Sequence, residues 1–323
     1  MPEREGDGYD TNGNGCGKRK KLWYGSCARA YYLRFAVFPH GVWGKWLDRE
    51  RLLTLSVETL KKMKEERGLG LFVDAPPIDV GRDILLLKAV SEQSGVKIVA
   101  STGLYSLESI ETFHNSREEL ASFFIDECHS GIGTTGIKPG ILKCATGSPG
   151  LTEDNLKKLS VMGLVQKESG LALYVHCEHG GDIAFRQLDV LLQNGAKKEK
   201  IIIGHAALRP DAAYLEEILK LGVYIGMDQC YCYPDRVDRI ADTLVKLSEK
   251  GYAEKILLSN DYCVQSDFCN RQKNGFHLTA EQHTKGFSYI LDEQYKAYLS
   301  AGGKEEIYQK MLCENPVGLL DAE

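Results

Sequence analysis

The sequence predicts an α/β protein that folds as a single-domain (β/α)8 barrel (a TIM barrel). Apolar runs of strand length alternate with amphipathic segments of helix length, and eight such runs can be counted. Because a crossover helix returns the chain to the same end of the sheet, this alternation makes the strands parallel. Polar residues with ligand or acid–base chemistry end four of the runs, at Lys143, His176, His205 and Asp261. In a barrel these ends converge on one rim, whereas in an open sheet strands so far apart would not meet.

The predicted elements follow one another in strict order. We expect strands at residues 22–27, 68–74, 96–102, 140–143, 171–176, 201–205, 222–228 and 255–261. We expect helices at residues 48–64, 81–95, 116–128, 152–169, 182–194, 210–221 and 235–250, with further helices from residue 279. Local signals support three helix ends: Gly95 suits a C-terminal cap, Ser116 and Glu119 form a capping-box pattern, and Pro210 suits a helix start.

Composition sets the class of protein. The 323 residues are 43% hydrophobic and 26% charged, as in ordinary soluble globular proteins, and the formal net charge of −5 argues against nucleic acid as a partner. The sequence lacks an apolar run of membrane-spanning length, so we expect no membrane association. Ten scattered cysteines without a repeated short spacing favour a reducing cytoplasm. Residues 1–20 are polar and glycine-rich and are expected to be a disordered leader, with the barrel domain at residues 21–323.

The chemistry of the four strand-end residues favours a metal site. Histidine offers a neutral imidazole to a divalent cation, and Asp261 offers an oxygen that can bind metal or accept a proton. Lys143 can bind a cation only after carbon dioxide converts its amine to an anionic carbamate. The competing interpretation pairs Lys143 with a nearby acid and satisfies both histidines by core hydrogen bonds. For one residue that interpretation would be preferred, but four strand ends together favour the metal.

The order of several short stretches resembles the phosphotriesterase-like family of the amidohydrolase superfamily. The matching stretches lie between about residues 52 and 320, at 73–83, 100–105, 136–143, 175–176, 203–206, 224–228, 258–261 and 314–316. The resemblance implies a barrel hydrolase with a binuclear metal centre bridged by a carboxylated lysine, which Lys143 would supply. It implies that His176 and His205 bind the more exposed metal, and that Asp261 binds the buried metal and shuttles a proton. It also implies a homodimer.

The chain departs from this family pattern at the first strand, where a His-x-His pair is expected. One alignment places Cys27 and Arg29 at those positions, and a second places His40 at one of them; we prefer the first because it preserves the distance to Asp74. Cys27 is then a possible thiolate ligand, and Arg29 a possible replacement for the second cation that pairs with Asp261. We therefore rank one metal ion per chain above two. Zinc is preferred, with manganese, cobalt or iron as alternatives.

Substrate determinants are sparse. Tyr105 follows the third strand, where lactone-cleaving members of the family carry a tyrosine, but Gln229 stands where those members have an arginine. Gln229, Tyr231 and Arg271 are candidate substrate-binding residues on the loops after the seventh and eighth strands. His179 follows the fifth strand, and two interpretations stay open for it: a ligand at the pocket, or a loop histidine in water.

These observations predict a metal-dependent hydrolase of a small-molecule lactone, carboxylic ester or phosphotriester. A metal-bound hydroxide would attack the substrate, Asp261 would take the proton, and Tyr105 or Arg271 would steady the substrate. The first alternative is a barrel that lost its strand-one ligands and binds a small molecule without hydrolysis. The second is a lyase that uses a single metal.

Overall fold

Parallel strands pair in chain order, each beside the next. The computed structural model describes residues 21–24, 48–106, 108, 110–147, 150–264 and 278–320. The strands are β1 Lys21–Tyr24, β2 Leu69–Asp74, β3 Lys97–Gly103, β4 Ile141–Ala145, β5 Leu173–His176, β6 Ile201–Ile203, β7 Tyr224–Met227 and β8 Ile256–Leu258. The predicted leader and the candidates Cys27, Arg29, His40 and Arg271 lie outside the described residues.

Helices connect the strands, so the predicted α/β alternation with a parallel sheet is confirmed. They are α1 Arg49–Arg67, α2 Ile84–Ser94, α3 Ile110–His114, α4 Arg117–Ser130, α5 Glu153–Ser169, α6 Ile183–Gln193, α7 Ala212–Lys220, α8 Val237–Glu249, α9 Ala280–Ser288, α10 Glu293–Ser300, α11 Glu305–Gln309 and α12 Asn315–Leu320. Within the described ranges, no helix has the length and apolar character needed to cross a membrane.

The two faces of the sheet bury two separate hydrophobic clusters, because successive side chains of a strand point to opposite faces. The larger cluster joins the helices to one face of the sheet, through residues such as Leu142 and Val175. The smaller one takes one side chain from each of β2 to β8, and these side chains pack together on the opposite face. Its strand members are Val73, Val99, Ile141, Tyr174, Ile202, Tyr224 and Leu257. A sheet must curl for side chains from such distant strands to form one cluster.

Two of the predicted helix caps are present in the structure. Gly95 caps α2 in the left-handed conformation, and Ser116 and Glu119 form both hydrogen bonds of the capping box at α4. The predicted helix start at Pro210 is wrong. The N-cap of α7 is Asp211, whose carboxylate accepts hydrogen bonds from the backbone amides of Ala213 and Tyr214. A carboxylate cap satisfies amides at the helix start, which proline cannot do.

Strands β6 and β8 are shorter than the sequence predicts. The runs at 201–205 and 255–261 were expected to stay extended to His205 and Asp261, but the strands end at Ile203 and Leu258. The reason is the backbone at the two polar residues, where φ is 61° at His205 and 51° at Asp261. A positive φ is incompatible with an extended strand. Both side chains therefore stand just beyond the carboxyl ends of their strands.

Candidate active site

Left-handed backbone marks the carboxyl ends of four consecutive strands. Among the described residues, the non-glycine positions with positive φ are His179 at 51°, His205 at 61°, Gln229 at 59° and Asp261 at 51°. They follow β5, β6, β7 and β8 respectively. Such conformations are costly for residues with a Cβ and persist only where the surrounding structure enforces them. Their concentration at one edge of the sheet identifies that edge as the candidate site.

Two carboxylates lie near one ring nitrogen of His205. Its Nδ1 donates a hydrogen bond to Oδ1 of Asp228 across 2.6 Å, and its backbone amide donates to Oδ2 of the same residue across 3.2 Å. Oδ2 of Asp261 lies 4.0 Å from the same ring nitrogen. Both His205 and Asp228 have side chains only 1% exposed, so water does not screen the contact. Asp228 therefore fixes the orientation of the ring and keeps a proton on Nδ1, because a carboxylate can only accept.

His176 faces His205 at a ring-centroid distance of 4.2 Å. Its Nε2 lies 3.3 Å from Oε1 of Glu178, and its Nδ1 lies 3.2 Å from the hydroxyl of Tyr105. Because the carboxylate can only accept, Nε2 donates to Glu178, and Nδ1 accepts the proton of the Tyr105 hydroxyl. The hydrogen bond from His176 lowers the pKa of Glu178 below its usual value. Imidazole, phenol and carboxylate thus meet at the end of β5.

The backbone of Tyr105 is held by the preceding βα loop. Both carboxylate oxygens of Asp79 lie 2.9 Å from the backbone nitrogen of Tyr105, which donates to them. Asp79 belongs to a short 3-10 turn at Ile78–Val80, between β2 and α2. A hydrogen bond to a charged acceptor is among the stronger kinds in proteins. It fixes the loop from which the Tyr105 ring packs edge-on against His176, with centroids 5.2 Å apart.

Lys143 is buried on the same face of the sheet. Its register partner on β5 is Tyr174, and its Nζ lies 4.2 Å from the centroid of the Tyr174 ring. The ring of Tyr174 in turn lies 6.1 Å from that of His205. The residue is 5% exposed, so the amino group points into the protein rather than into solvent. The ring of Tyr174 thus connects Lys143 with His205, and the ring of His205 contacts that of His176 directly.

His179 is buried and its ring nitrogens contact neighbouring loops. Nε2 donates to the carbonyl of Gly204 across 2.7 Å, and Nδ1 accepts from the hydroxyl of Tyr214 at 3.2 Å. Burial lowers the pKa of His179 to about 4, so the ring is neutral at physiological pH. The interpretation of His179 as a loop histidine in water is wrong, since it is 4% exposed. These contacts tie the end of β5 to the residue that precedes His205.

The two described substrate candidates differ in their surroundings. The side-chain amide of Gln229 donates to Oδ2 of Asp261 across 2.8 Å, so it contacts the carboxylate directly. Tyr231 is 42% exposed, and its ring packs edge-on against Tyr262 with centroids 4.9 Å apart. Only the second side chain offers substantial surface to solvent. Gln229 is therefore positioned to act on Asp261, and Tyr231 to line the loop above it.

The side chains of the site fit a divalent cation by their chemistry. Imidazoles that bind metals commonly donate their other ring N–H to a carboxylate, and the His205–Asp228 contact has this form. Two imidazoles and the carboxylate of Asp261 stand beside one another, with the amine of Lys143 below them. Nevertheless, the described ranges contain no group of three or more His, Cys, Asp or Glu side chains arranged to hold an ion. The ring nitrogens of His176 instead contact Tyr105 and Glu178.

Three supporting residues of the site are not among the candidates that the sequence predicts. Asp228 orients His205, Asp79 holds Tyr105, and Tyr174 underlies Lys143. Two of them carried a usable signal. Tyr174 stands two residues before His176 and so shares its face of the strand, and Asp228 follows the strand next to that of His205. Asp79 lies in an irregular loop, where periodicity gives no direction for a side chain.

Comparison with known proteins identifies the family. The model of the phosphotriesterase family matches residues 34–320. An aryldialkylphosphatase from Saccharolobus solfataricus is 28% identical over 254 residues, which cover 77% of this chain and 80% of that protein. A phospho-furanose lactonase from Mycoplasmopsis synoviae is 28% identical over 295 residues, covering 83% and 81%. The structure of the phosphotriesterase from Mycobacterium tuberculosis superposes with a TM-score of 0.81 at 26% identity, covering 94% of both chains. The chain, whose carboxyl strand ends gather His176, His205 and Asp261, belongs to the phosphotriesterase family.

Proposed function

We propose that this protein is a metal-dependent hydrolase of a lactone, a carboxylic ester or a phosphotriester. The observation that carries the proposal is the close pair of imidazoles, His176 and His205, with the carboxylates of Asp228 and Asp261 both near Nδ1 of His205. The named relatives support the substrate class, since one is an aryldialkylphosphatase and another a phospho-furanose lactonase. Both names describe hydrolysis of an ester bond.

The residues proposed to hold the metal are Lys143, His176, His205 and Asp261, with Lys143 carboxylated. Zinc is the preferred ion, with manganese, cobalt or iron as alternatives, and one ion per chain is ranked above two. When bound, the ion would lower the pKa of a water molecule and polarise the oxygen of the scissile group. Cys27 and Arg29 remain candidates for the positions of the strand-one ligands.

Other side chains would accept the proton and contact the substrate. Asp261 is the proposed proton acceptor, and the amide of Gln229 holds its carboxylate at 2.8 Å. The hydroxyl of Tyr105, which now contacts Nδ1 of His176, is available to donate to an oxygen of the substrate. Tyr231 supplies exposed aromatic surface for an apolar part of the substrate. Arg271 is proposed as a further substrate contact.

We infer that the sheet closes into a (β/α)8 barrel, because one cluster joins the inner faces of β2 to β8 and the family's solved phosphotriesterase superposes over nearly the whole chain. We further propose that the protein is a cytoplasmic homodimer. It would act on a small-molecule substrate and have no nucleic-acid or membrane partner. Residues 1–20 would form a leader outside the barrel domain.

Hydrolysis of a substrate panel tests the function. Lactones, aryl carboxylic esters and phosphotriesters would be assayed with zinc, manganese or cobalt, for the wild type and His205→Ala. The matched control is His129→Ala, which removes an exposed histidine at the end of α4. We expect turnover in the wild type and in the control and none in His205→Ala. Equal activity in His205→Ala would contradict the proposal.

Metal analysis separates the alternatives. Elemental mass spectrometry on protein purified without chelator should find about one equivalent per chain, and two equivalents would overturn that ranking. Metal binding without turnover of any ester would support the small-molecule binder instead. Metal-dependent bond cleavage in which no water is added would support the lyase. Intact-protein analysis under non-denaturing conditions would report a carboxylated Lys143 directly.

A further inference from the structure

Tyr174 projects from the same face of the sheet as the proposed metal ligands, beside Lys143 on the neighbouring strand and two residues before His176. It precedes His176 by two residues on β5, so the two side chains share one face of the strand. Its side chain is almost completely buried, at 6% exposure. The ring lies 4.2 Å from Nζ of Lys143 on one neighbouring strand and 6.1 Å from the ring of His205 beyond the other. It is therefore in contact with a proposed ligand on each side.

The neighbouring strands are shaped around this ring. A Cβ atom built at Gly204 would overlap the Tyr174 ring, and a Cβ atom built at Gly226 would lie 2.6 Å from its hydroxyl oxygen. The tyrosine therefore crosses the ends of β6 and β7, in space that exists only because both positions lack a side chain. The same Cβ atom at Gly226 would lie 3.2 Å from Oδ2 of Asp228, which orients His205. Little room is left for the ring to move.

We propose that Tyr174 is a positioning residue for Lys143, and that its ring face fixes where the amino group sits beneath His176 and His205. A lysine side chain has four rotatable bonds, so each contact that the fold supplies narrows the positions open to its amino group. In the metal-free protein, before any carboxylation, Lys143 carries its amino group, and an aromatic face within about 6 Å attracts an ammonium group, most strongly when water is excluded. Because the ring is itself held between Gly204 and Gly226, it restrains the lysine rather than moving with it. The catalytic meaning of this placement rests on the proposed function.

The molecule contains a matched pair that serves as an internal control. Nζ of Lys255 lies 4.1 Å from the ring centroid of Tyr224, in nearly the same arrangement as Lys143 and Tyr174. Tyr224 begins β7, and Lys255 directly precedes β8, so this pair lies at the amino ends of the strands. The proposed site lies at the opposite ends. Loss of the Tyr224 ring therefore removes the same kind of contact without touching the site.

Amine labelling tests the proposal on full-length, metal-free protein. Native samples would be treated briefly with acetic anhydride, and acetylation of Lys143 and Lys255 would be followed over time by peptide mass spectrometry. The variants are Tyr174→Phe, Tyr174→Leu and Tyr174→Met, with Tyr224→Leu as the control. Methionine is unbranched and flexible, so Tyr174→Met fills the space left by the ring in a different way from Tyr174→Leu and guards against a variant that fails to fold. Circular dichroism would verify folding of each.

We expect Tyr174→Leu and Tyr174→Met to speed the labelling of Lys143 by about tenfold, and Tyr174→Phe to leave it close to the wild-type rate. Tyr224→Leu should speed the labelling of Lys255 and leave Lys143 unchanged. An unchanged Lys143 rate in both ring-deleting variants, or an equal increase in Tyr224→Leu, would overturn the proposal. The measurement needs neither metal nor turnover, so an inactive wild type would refute the hydrolase while leaving this test decisive.

Discussion

The side-chain amide of Gln229 donates a hydrogen bond to Oδ2 of Asp261 across 2.8 Å. Both residues have left-handed backbone, with φ of 59° and 51°, and both follow the carboxyl ends of adjacent strands. The same carboxylate oxygen lies 4.0 Å from Nδ1 of His205. The position of the proposed proton acceptor is therefore set by an amide that follows β7, beside an imidazole that follows β6. A glutamine can hold a carboxylate in this way but cannot pass on its proton.

Gln229→Leu should lower kcat by about 10- to 100-fold and leave KM almost unchanged, because a hydrogen bond to a charged group contributes about 1.5–3 kcal/mol. Steady-state kinetics on the best ester of the panel would measure both constants. The control is Gln193→Leu, at an exposed position at the end of α6. A raised KM with unchanged kcat would instead support the role in substrate binding that the sequence suggested.

Asp228→Asn should weaken zinc binding about 10- to 100-fold, since the residue that orients a metal-binding imidazole typically has an effect of this size. The amide can still occupy the volume, but it loses the charge that fixes the His205 tautomer. Competition with a chromogenic chelator gives the zinc affinity. Asp242→Asn, on the exposed face of α8, is the control. Equal affinities for wild type and Asp228→Asn would show that His205 does not bind the metal.

His179 should make the protein less stable in acid. Its pKa is about 4 in the folded protein, against an ordinary value of 6.5, so the unfolded chain binds more protons between these values. The contribution of the neutral His179 ring to the free energy of unfolding is complete above about pH 6.5. As the pH falls towards 4, about 3 kcal/mol of that free energy is lost. Urea unfolding of wild type and His179→Gln at several pH values measures the difference. A difference that does not shrink as pH falls would contradict the assignment.

A buried ion pair should support the end of β3 beneath Tyr105. Nη2 of Arg82 lies 2.7 Å from Oε1 of Glu127 on α4, both side chains are 5% exposed, and Thr102 also donates to the carboxylate. Arg82→Met should cost about 3–5 kcal/mol because it leaves a buried charge without its partner. Adding Glu127→Leu should recover part of that loss, which chemical unfolding of the single and double variants would reveal. The control is Arg49→Met, whose ion pair with Asp83 is half exposed.

The sequence predicts the order of elements well because burial imposes a simple pattern. Strand-length apolar runs such as 171–176 are distinct from the amphipathic helices around them, and the capping box at Ser116 is a purely local signal. The ends of β6 and β8 were predicted less well. Histidine and aspartate adopt left-handed backbone more often than most residues, but this preference is too weak to predict it at His205 and Asp261.

Within the site, the sequence predicts which side chains approach one another but not how their atoms pair. His176 and His205 are neighbours because β5 and β6 are adjacent. The contacts of His179 with Gly204 and Tyr214 depend on two loops distant in sequence, so neither open interpretation described them. The position of Gln229 in the sequence predicts a contact with substrate. In the structure its side-chain amide donates to Asp261, and only the fold determines this direction.

The space that Gly204 and Gly226 leave for Tyr174 couples three positions on three strands. A change at any one of them is constrained by the other two, because a side chain added at either glycine requires a smaller residue at 174. A mutant library that changes one of these positions at a time would lose the substitutions at Gly204 and Gly226, because the added side chain would overlap the ring of Tyr174. Redesign of the substrate cavity should therefore mutate the tyrosine and the two glycines together, with the lysine beside them held constant.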